Sequence, residues 1–308
     1  MSKKWVAVLQ LLVAAGFWGF GFVAAVWALK VVNAFELTLA RFVLAVMVSF
    51  IFLLVTGRRR AWGTMARIAL VPGFLLALML IVQTWGLEYT TATKAGFITT
   101  LYAVFTPLLE FFHRGRRLGP QLWLSVGVAF LGTLMIVNLG LKDLNWGDLL
   151  CLICAMAGAG QIYYLGLVSP KVTHPFVLNT MQASWALLFS APFAFSSGLL
   201  DKFASWSQWP WEAQVGLLSL AFGSTILAFY LQVKAQAHLS ATVTSLLCLL
   251  ESPLSMFFAV MLLSEKLTMW EATGALLIFL ATISASWSET RPTKRIVDFD
   301  PGLSKTKG

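Results

Sequence analysis

The sequence predicts an all-α membrane protein with ten membrane-spanning helices, arranged as two inverted repeats of five helices each. Three observations predict this fold class. Of the 308 residues, 59% are hydrophobic and 11% are charged, whereas soluble domains carry about 25% charged residues. Ten apolar runs follow one another along the chain, and a similar proline-containing segment occurs once in each half. Such a chain has too little polar surface to cover a soluble core.

The ten apolar runs have the length of membrane helices, about 20 residues, and exceed the roughly ten-residue strands of membrane barrels. They cover approximately residues 6–28, 35–56, 67–87, 95–112, 121–139, 147–167, 175–195, 213–233, 241–263 and 268–288. The Trp-rich connection 196–212 is predicted to lie at the membrane interface. The first run is longer than a signal-peptide core and lacks an A-x-A cleavage signature, so we expect a retained helix.

The distribution of basic residues predicts the orientation of the chain in the membrane. Sixteen Lys and Arg residues fall on the side of the N-terminus, five fall on the opposite side, and Arg41 lies within a span. Because cytoplasmic segments are enriched in Lys and Arg, both termini are predicted to be cytoplasmic, which requires an even number of spans. The same distribution accounts for the net charge of +9, so we expect no nucleic-acid partner.

A duplicated segment marks the two halves of the chain. Its copies contain Pro107 and Pro253, which lie 146 residues apart, and both prolines are predicted to kink their helices. Interrupted helices at matching places in the two halves of a membrane protein point to a transport site. Alignment on the prolines places Phe105 opposite Glu251, so only the second copy has a carboxylate beside its proline.

The predicted domain boundaries follow from this duplication. The first five-helix repeat is expected to cover residues 1–140 and the second to cover 141–288, and residues 289–308 are expected to form a polar cytoplasmic tail. Because five is an odd number, the second repeat has the opposite orientation in the membrane, and the halves are inverted copies.

Several short motifs, in this order and spacing, resemble the drug/metabolite transporter superfamily, specifically the EamA type with two tandem domains. The motifs are Trp18-Gly-Phe-Gly, Ala40-Arg-Phe, Thr90-Thr-Ala-Thr-Lys-Ala-Gly-Phe, Pro107-Leu-Leu, Leu250-Glu-Ser-Pro, Ser264-Glu-Lys and Gly274-Ala-Leu. The resemblance implies ten helices in an inverted repeat around a central cavity lined mainly by helices 1, 3, 4, 6, 8 and 9. It also implies alternating-access transport of small metabolites, often export. The first repeat departs from the pattern, with His113-Arg-Gly where the second has Ser264-Glu-Lys.

Glu251 is the main candidate for a functional group because it lies near the middle of the ninth predicted helix, two residues before Pro253. A carboxylate at the bilayer centre costs about 2.5–3.5 kcal/mol on insertion scales, so it should face a wet cavity or a partner. Two interpretations stay open for it. Glu251 either binds a substrate cation or a coupling proton, or it forms a structural hydrogen bond at the kink.

A set of polar and aromatic residues falls on the six helices that the family uses for its cavity. With Glu251, the candidate substrate-binding residues are Trp18, Gln83, Trp85, Thr99, Tyr102, Gln161, Tyr163, Tyr164 and Tyr230, and Gln232 belongs to the same set. Amides and phenols in lipid need partners and should point inward. For any single residue, ordinary packing or an interfacial belt is the alternative. Basic residues are sparse among them, which argues against a highly phosphorylated substrate.

The remaining polar groups of the spans are given structural roles. Arg41 is expected to anchor helix 2 by binding helix-end carbonyls or by snorkelling, and Glu110 and His113 are expected to form an interfacial pair. Cys151 and Cys154 lack further metal ligands nearby, so we expect no metal site. The glycines of helices 1 and 6 are expected to allow close helix packing; they are Gly16, Gly19, Gly21, Gly158 and Gly160.

The function predicted from these observations is secondary transport rather than catalysis. We expect a permease of the bacterial inner membrane that exports a small metabolite, such as an amino acid or a related solute. The chain has no P-loop to hydrolyse ATP, and no cofactor is expected. The partners would be the solute and the lipid bilayer, with the protein as a monomer. The alternatives are a membrane-embedded enzyme, which the scattered His113, His174 and His238 do not favour, and a channel.

Overall fold

The computed structural model describes residues 2–56, 62–114, 119–137, 145–194 and 199–290, and these residues form helices joined by short connections. The α-helices are α1 (Lys3–Ala28), α2 (Ala34–Thr56), α3 (Trp62–Gly86), α4 (Ala92–Thr99), α5 (Tyr102–Arg114), α6 (Pro120–Val137), α7 (Trp146–Val168), α8 (Pro175–Ala194), α9 (Leu199–Ala204), α10 (Trp211–Leu218), α11 (Phe229–Gln236), α12 (Ala241–Cys248), α13 (Glu251–Leu263) and α14 (Met269–Thr290). A π-helix, Ser219–Ala228, joins α10 to α11. The described part of the chain contains no β-strand, so the all-helical prediction is confirmed.

Eight helical segments within the described residues are long and apolar enough to cross a membrane. They correspond to α1, α2, α3, α4 with α5, α7, α10 with α11, α12 with α13, and α14. The apolar part of α6, Pro120–Met135, is shorter, and α8 carries Asn179, Thr180 and Gln182 along its length. The number of ten spans therefore stays a prediction. The predicted boundary near 140 and the tail beyond Thr290 lie outside the described residues.

Two of the segments are broken helices with the same internal lengths. The helices α4 and α12 have eight residues each, and α5 and α13 have thirteen each. Two residues separate the helices of each pair: Thr100 and Leu101 in the first pair, Leu249 and Leu250 in the second. At the first break the amides of both residues bond to carbonyls three positions earlier, at 3.1 Å, which tightens the backbone into a 3₁₀ turn.

The distance along the chain between the two breaks differs from the distance between the two prolines. Pro253 is the third residue of α13, whereas Pro107 is the sixth residue of α5. Aligned at the breaks, the two copies are offset by 149 residues instead of 146. The residue equivalent to Glu251 is therefore Tyr102 and not Phe105, and the alignment on the prolines was wrong by about one helical turn.

The helix α1 lies at the centre of the bundle and packs against α10, the π-helix, α11, α12 and α13. A Cβ atom added at Gly216 of α10 would lie 2.4 Å from the Ala24 carbonyl oxygen, and one added at Gly19 would lie 2.8 Å from Leu254 Cβ. Absence of a side chain thus lets backbones approach closely at both contacts. Gly16, in contrast, has no heavy atom within 4 Å of an added Cβ, so close packing is found at Gly19 and not at Gly16.

Asp148 at the start of α7 connects the two halves of the chain at one end of the bundle. Its carboxylate accepts a hydrogen bond from the Asn145 amide at 3.0 Å, completing a capping box, and another from the Thr90 hydroxyl at 3.1 Å. The same carboxylate lies 2.6 Å from Lys94 Nζ. Asp148 is 4% exposed, so these partners replace most of its water.

Asp148→Ala should lower the stability of the protein by about 2 kcal/mol, because a helix cap and charge-assisted hydrogen bonds are lost together. The measurement is the thermal unfolding midpoint of the purified protein in detergent. Asp201→Ala removes an exposed carboxylate from the first turn of α9 and serves as the control. Equal midpoints for the two variants would contradict this account of Asp148.

Candidate functional site

A cavity lies at the centre of the bundle and contains about 660 Å³ of empty space, counting the part that opens outward. Residues of α1, α2, α3, α4, α5, α7, the π-helix, α11, α12 and α13 line it. Six of the ten candidate substrate-binding residues lie in its wall: Trp18, Gln83, Thr99, Tyr102, Gln161 and Glu251. Gln232, from the same predicted set, also lines it.

The other four candidates lie outside the cavity wall, and helix periodicity explains the position of three of them. Trp85, Tyr163 and Tyr230 each lie two residues from a glutamine that lines the cavity, and Tyr164 lies three residues from Gln161. Two residues correspond to a rotation of about 200° around a helix, so the side chains of Trp85, Tyr163 and Tyr230 leave on another face. The three-residue spacing of Tyr164 places it near the face of Gln161, so periodicity does not account for its position outside the wall. Trp85 packs against Phe35 and Trp146, and the ring of Tyr230 packs against Phe176 at 5.7 Å.

The cavity wall contains buried polar atoms that have no hydrogen-bond partner among the described residues. They are Trp18 Nε1, Gln161 Nε2 and Gln232 Oε1. The two glutamines are bonded to each other, since Gln232 Nε2 donates to Gln161 Oε1 at 3.0 Å, and this fixes where their free atoms lie. An unsatisfied buried polar group costs about 1–3 kcal/mol. The cavity therefore offers both donors and acceptors to water or to a solute.

Glu251 is the first residue of α13, directly after the helix break, and its side chain is almost fully buried in the cavity wall. The Tyr102 hydroxyl, which belongs to the equivalent position of the first half, lies beside its carboxyl group. In the described part of the chain no Lys, Arg or His forms an ion pair with Glu251. The break thus presents to the cavity a carboxyl group that has no ion-pair partner among the described residues.

Arg41 also lines the cavity, whereas the sequence predicted only an anchoring role for it. Its side chain is 3% exposed, and its Nε donates to the Thr225 hydroxyl of the π-helix at 3.1 Å. A longer contact of 3.5 Å joins Nη2 to the Leu220 carbonyl oxygen. The expected anchoring to a helix carbonyl is thus present, but the guanidinium faces the cavity as well. The signal that could have found it is the general rule that charged residues within membrane spans face interior cavities.

Near each end of the bundle, a hydrogen bond joins one of the broken helices to the other half of the chain. At one end Glu110 accepts a hydrogen bond from the Thr242 hydroxyl at the start of α12. At the other end Glu265 accepts one from the Thr93 hydroxyl at the start of α4. Thr93 and Thr242 are equivalent positions in the two copies. Each contact joins the first half of the chain to the second.

The prediction that Glu110 and His113 form an interfacial pair is corrected by these contacts. Glu110 is buried and bonds to Thr242, whereas His113 is exposed and its Nδ1 lies 2.6 Å from the Tyr163 hydroxyl. The two residues share a helix face, but each binds a different neighbouring helix. The described residues contain no cluster of three or more His, Cys, Asp or Glu side chains able to hold a metal ion.

Comparison with known proteins gives the family of the chain. Residues 5–138 and residues 145–287 each match the model of the EamA-like transporter family. The chain belongs to this family. The prediction of two tandem EamA domains is thereby confirmed. In this EamA-family protein, the first domain contains the broken helix α4–α5 and the second contains the broken helix α12–α13.

Individual relatives of the EamA-family protein are also transporters by name. An uncharacterized transporter of Archaeoglobus fulgidus is 30% identical over 288 residues, which cover 92% of this chain and 87% of the relative. An S-adenosylmethionine uptake transporter of Rickettsia bellii is 24% identical over 259 residues, covering 84% of this chain and 86% of the relative. A solved crystal structure matches the fold with a TM-score of 0.66, 17% identity, and coverage of 92% and 97% of the two chains. These findings identify a multi-pass membrane protein of a transporter family.

Proposed function

We propose that this protein is a secondary transporter that moves a small metabolite, an amino acid or a related solute, across the bacterial inner membrane by alternating access, in the direction of export. The observation that carries the proposal is the central cavity with unpartnered polar atoms from both family domains. Aromatic surface with a few oriented polar groups is typical of sites for small solutes. The R. bellii relative is named for S-adenosylmethionine, a solute with an amino acid end, which supports this class.

The proposed architecture is ten spans in two inverted repeats, 1–140 and 141–288, with both termini in the cytoplasm. The helix contacts support it, because the following contacts between a helix of the first half and a helix of the second have counterparts between the equivalent helices of the opposite halves. The helix α1 packs against α13, and its equivalent α7 packs against α5. Likewise α3 packs against α7, and the segment from α10 to α11 packs against α1. A two-fold relation between the halves produces such pairs, and the excess of Lys and Arg supports the orientation.

Alternating access would use the contacts at the two ends of the bundle. The Glu110 to Thr242 and Glu265 to Thr93 hydrogen bonds each join one half to the other, next to a broken helix. Breaking one contact while keeping the other would open the cavity to one side of the membrane. In the proposed cycle Glu251 carries a coupling proton, since it is a carboxyl group in the wall of the same cavity.

Counterflow in proteoliposomes tests the proposal. Vesicles loaded with unlabelled L-phenylalanine or S-adenosylmethionine should take up the same labelled solute above its equilibrium level, and the initial rate should saturate with concentration. A transient overshoot of this kind requires a carrier with a binding site. Conductance that does not saturate would overturn the proposal in favour of a channel, and chemical conversion of the solute would overturn it in favour of an enzyme. Comparing efflux and uptake rates in oriented vesicles tests the direction of export.

A further inference from the structure

The central cavity contains two buried side chains of opposite charge that do not form an ion pair with each other. Arg41 is 3% exposed and Glu251 is 6% exposed, and both line the cavity. Within the described residues, neither forms an ion pair with another charged side chain. The nearby acidic residue of α2, Glu36, is paired with Lys202 at 2.6 Å and is not available to Arg41.

Such an arrangement is costly for a membrane protein unless the carboxyl group holds a proton or another molecule supplies the missing charges. An unpaired buried charge costs several kcal/mol, and buried charges in proteins are normally paired or bound to ligands. Arg41 uses its Nε on Thr225 and makes one long contact through Nη2. A guanidinium has five N–H donors, so most of its donors remain for a ligand. Glu251 has the Tyr102 hydroxyl as its neighbour.

Part of the same cavity wall is aromatic. The rings of Trp18 and Phe229 lie 5.1 Å apart at their centroids, and Phe22 lines the same space. The Trp18 Nε1 donor and the free ends of Gln161 and Gln232 lie in this wall without partners among the described residues. The surface therefore suits a solute with an apolar or aromatic body and polar groups that extend from it.

We infer that the cavity binds a dipolar solute, with an anionic group on Arg41 and a cationic group on Glu251 and Tyr102. This inference rests on the proposed transport function and narrows it to the chemical class of the solute. Arg41 then determines specificity for the anionic group, because a guanidinium binds a carboxylate through two parallel hydrogen bonds. Glu251 determines specificity for the cationic group. Solutes with only one of the charges leave the other side chain unpaired and bind less well.

Three compounds with the same phenyl ring test the inference. L-Phenylalanine carries both charges, 3-phenylpropanoate carries only the carboxylate, and 2-phenylethylamine carries only the ammonium group. Their affinities for the purified full-length protein in detergent are measured by calorimetry, with the thermal unfolding midpoint as a second readout. L-Phenylalanine should bind at least about 10-fold more tightly than either analogue, since each charged hydrogen bond contributes about 1.5–3 kcal/mol.

Two substitutions assign the charges to their side chains. Arg41→Gln should weaken L-phenylalanine binding by about 10- to 100-fold and leave 2-phenylethylamine unchanged, whereas Glu251→Gln should weaken it equally and leave 3-phenylpropanoate unchanged. Arg67→Gln and Glu212→Gln make the same chemical changes outside the cavity wall and serve as controls. Unliganded unfolding midpoints and gel-filtration profiles like those of the parent protein show that the variants are folded.

Several outcomes would overturn the inference. They are equal affinity for all three compounds, binding of none of them, or tightest binding of an analogue with a single charge. An unchanged affinity of Arg41→Gln for L-phenylalanine would show that water or a small anion, and not the solute, neutralises the guanidinium. Saturable counterflow of another solute together with any of these results would leave the transport proposal intact. Absence of counterflow together with dipolar binding would overturn transport alone.

Discussion

Glu251→Gln is expected to abolish the stimulation of transport by a pH gradient. Flux in proteoliposomes is measured with and without the gradient, at solute concentrations that saturate each variant, and the ratio of the two rates should fall to one. Gln keeps the size and the hydrogen-bonding capacity of the side chain but cannot exchange a proton. Because the residue lies in the cavity wall at the start of α13, loss of its proton removes the only step at which the proposed cycle couples to the gradient.

The matched control for this prediction is Glu212→Gln in the first turn of α10, outside the cavity wall. It should keep the stimulation of the parent protein, and both variants should be expressed and purified in similar amounts. If Glu251→Gln retains the full stimulation, Glu251 is not the coupling group. Binding of a solute cation or a structural hydrogen bond at the break would then remain as its role, both of which the sequence left open.

Gly19→Ala should destabilise the protein by about 1–3 kcal/mol, the typical cost of overpacking, and should also slow transport. The added Cβ would lie 2.8 Å from Leu254 Cβ and 2.9 Å from the Glu251 carbonyl oxygen. Backbone atoms cannot rotate away as a side chain can, so α1 and α13 must separate. The separation occurs at the first residue of α13 and would displace the Glu251 side chain from its position beside Tyr102.

Gly16→Ala is the matched control, because it makes the same change three residues earlier in α1, where nothing lies within 4 Å. A helical glycine replaced by alanine where the added Cβ meets no neighbour should gain about 0.5–1 kcal/mol. The thermal unfolding midpoints of the two variants should therefore move in opposite directions. A lower midpoint for Gly16→Ala, or an unchanged one for Gly19→Ala, would mean that the spacing between α1 and its neighbours differs from that described here.

The sequence allows the helices to be predicted but not the faces that they turn to the cavity. Gln83 and Gln161 line the cavity, whereas Trp85 and Tyr163, two positions further on, do not. In a soluble helix the polar face identifies the exposed side, but in a membrane helix apolar residues occur all round. Amphipathic side chains such as Trp and Tyr suit a cavity, an interfacial belt or a helix contact, so residue type alone does not choose among them.

The breaks in the duplicated helices show a second limit of prediction. Proline is the most visible helix breaker in a sequence, and it suggested equivalent kinks at Pro107 and Pro253. The observed breaks lie at Thr100–Leu101 and Leu249–Leu250, and their offset differs from that of the prolines. Pro253 lies in the first turn of α13, where a helix needs no donor, whereas Pro107 lies deeper in α5. Arg41 was missed as a cavity residue for a different reason. Its helix, α2, is not among the six that the family resemblance assigns to the cavity, yet Arg41 reaches the cavity wall beside the π-helix.

At equivalent positions after the two helix breaks, the first half has Tyr102 and the second has Glu251. This difference affects the relative free energies of the conformations in the proposed cycle. A carrier made of two identical inverted halves would have two end conformations that are copies of each other and therefore equal in energy. Here one copy of the break has a phenol and the other a carboxyl group, so this degeneracy is lost. In the proposed cycle, the difference in free energy between the two end conformations then depends on whether Glu251 holds a proton.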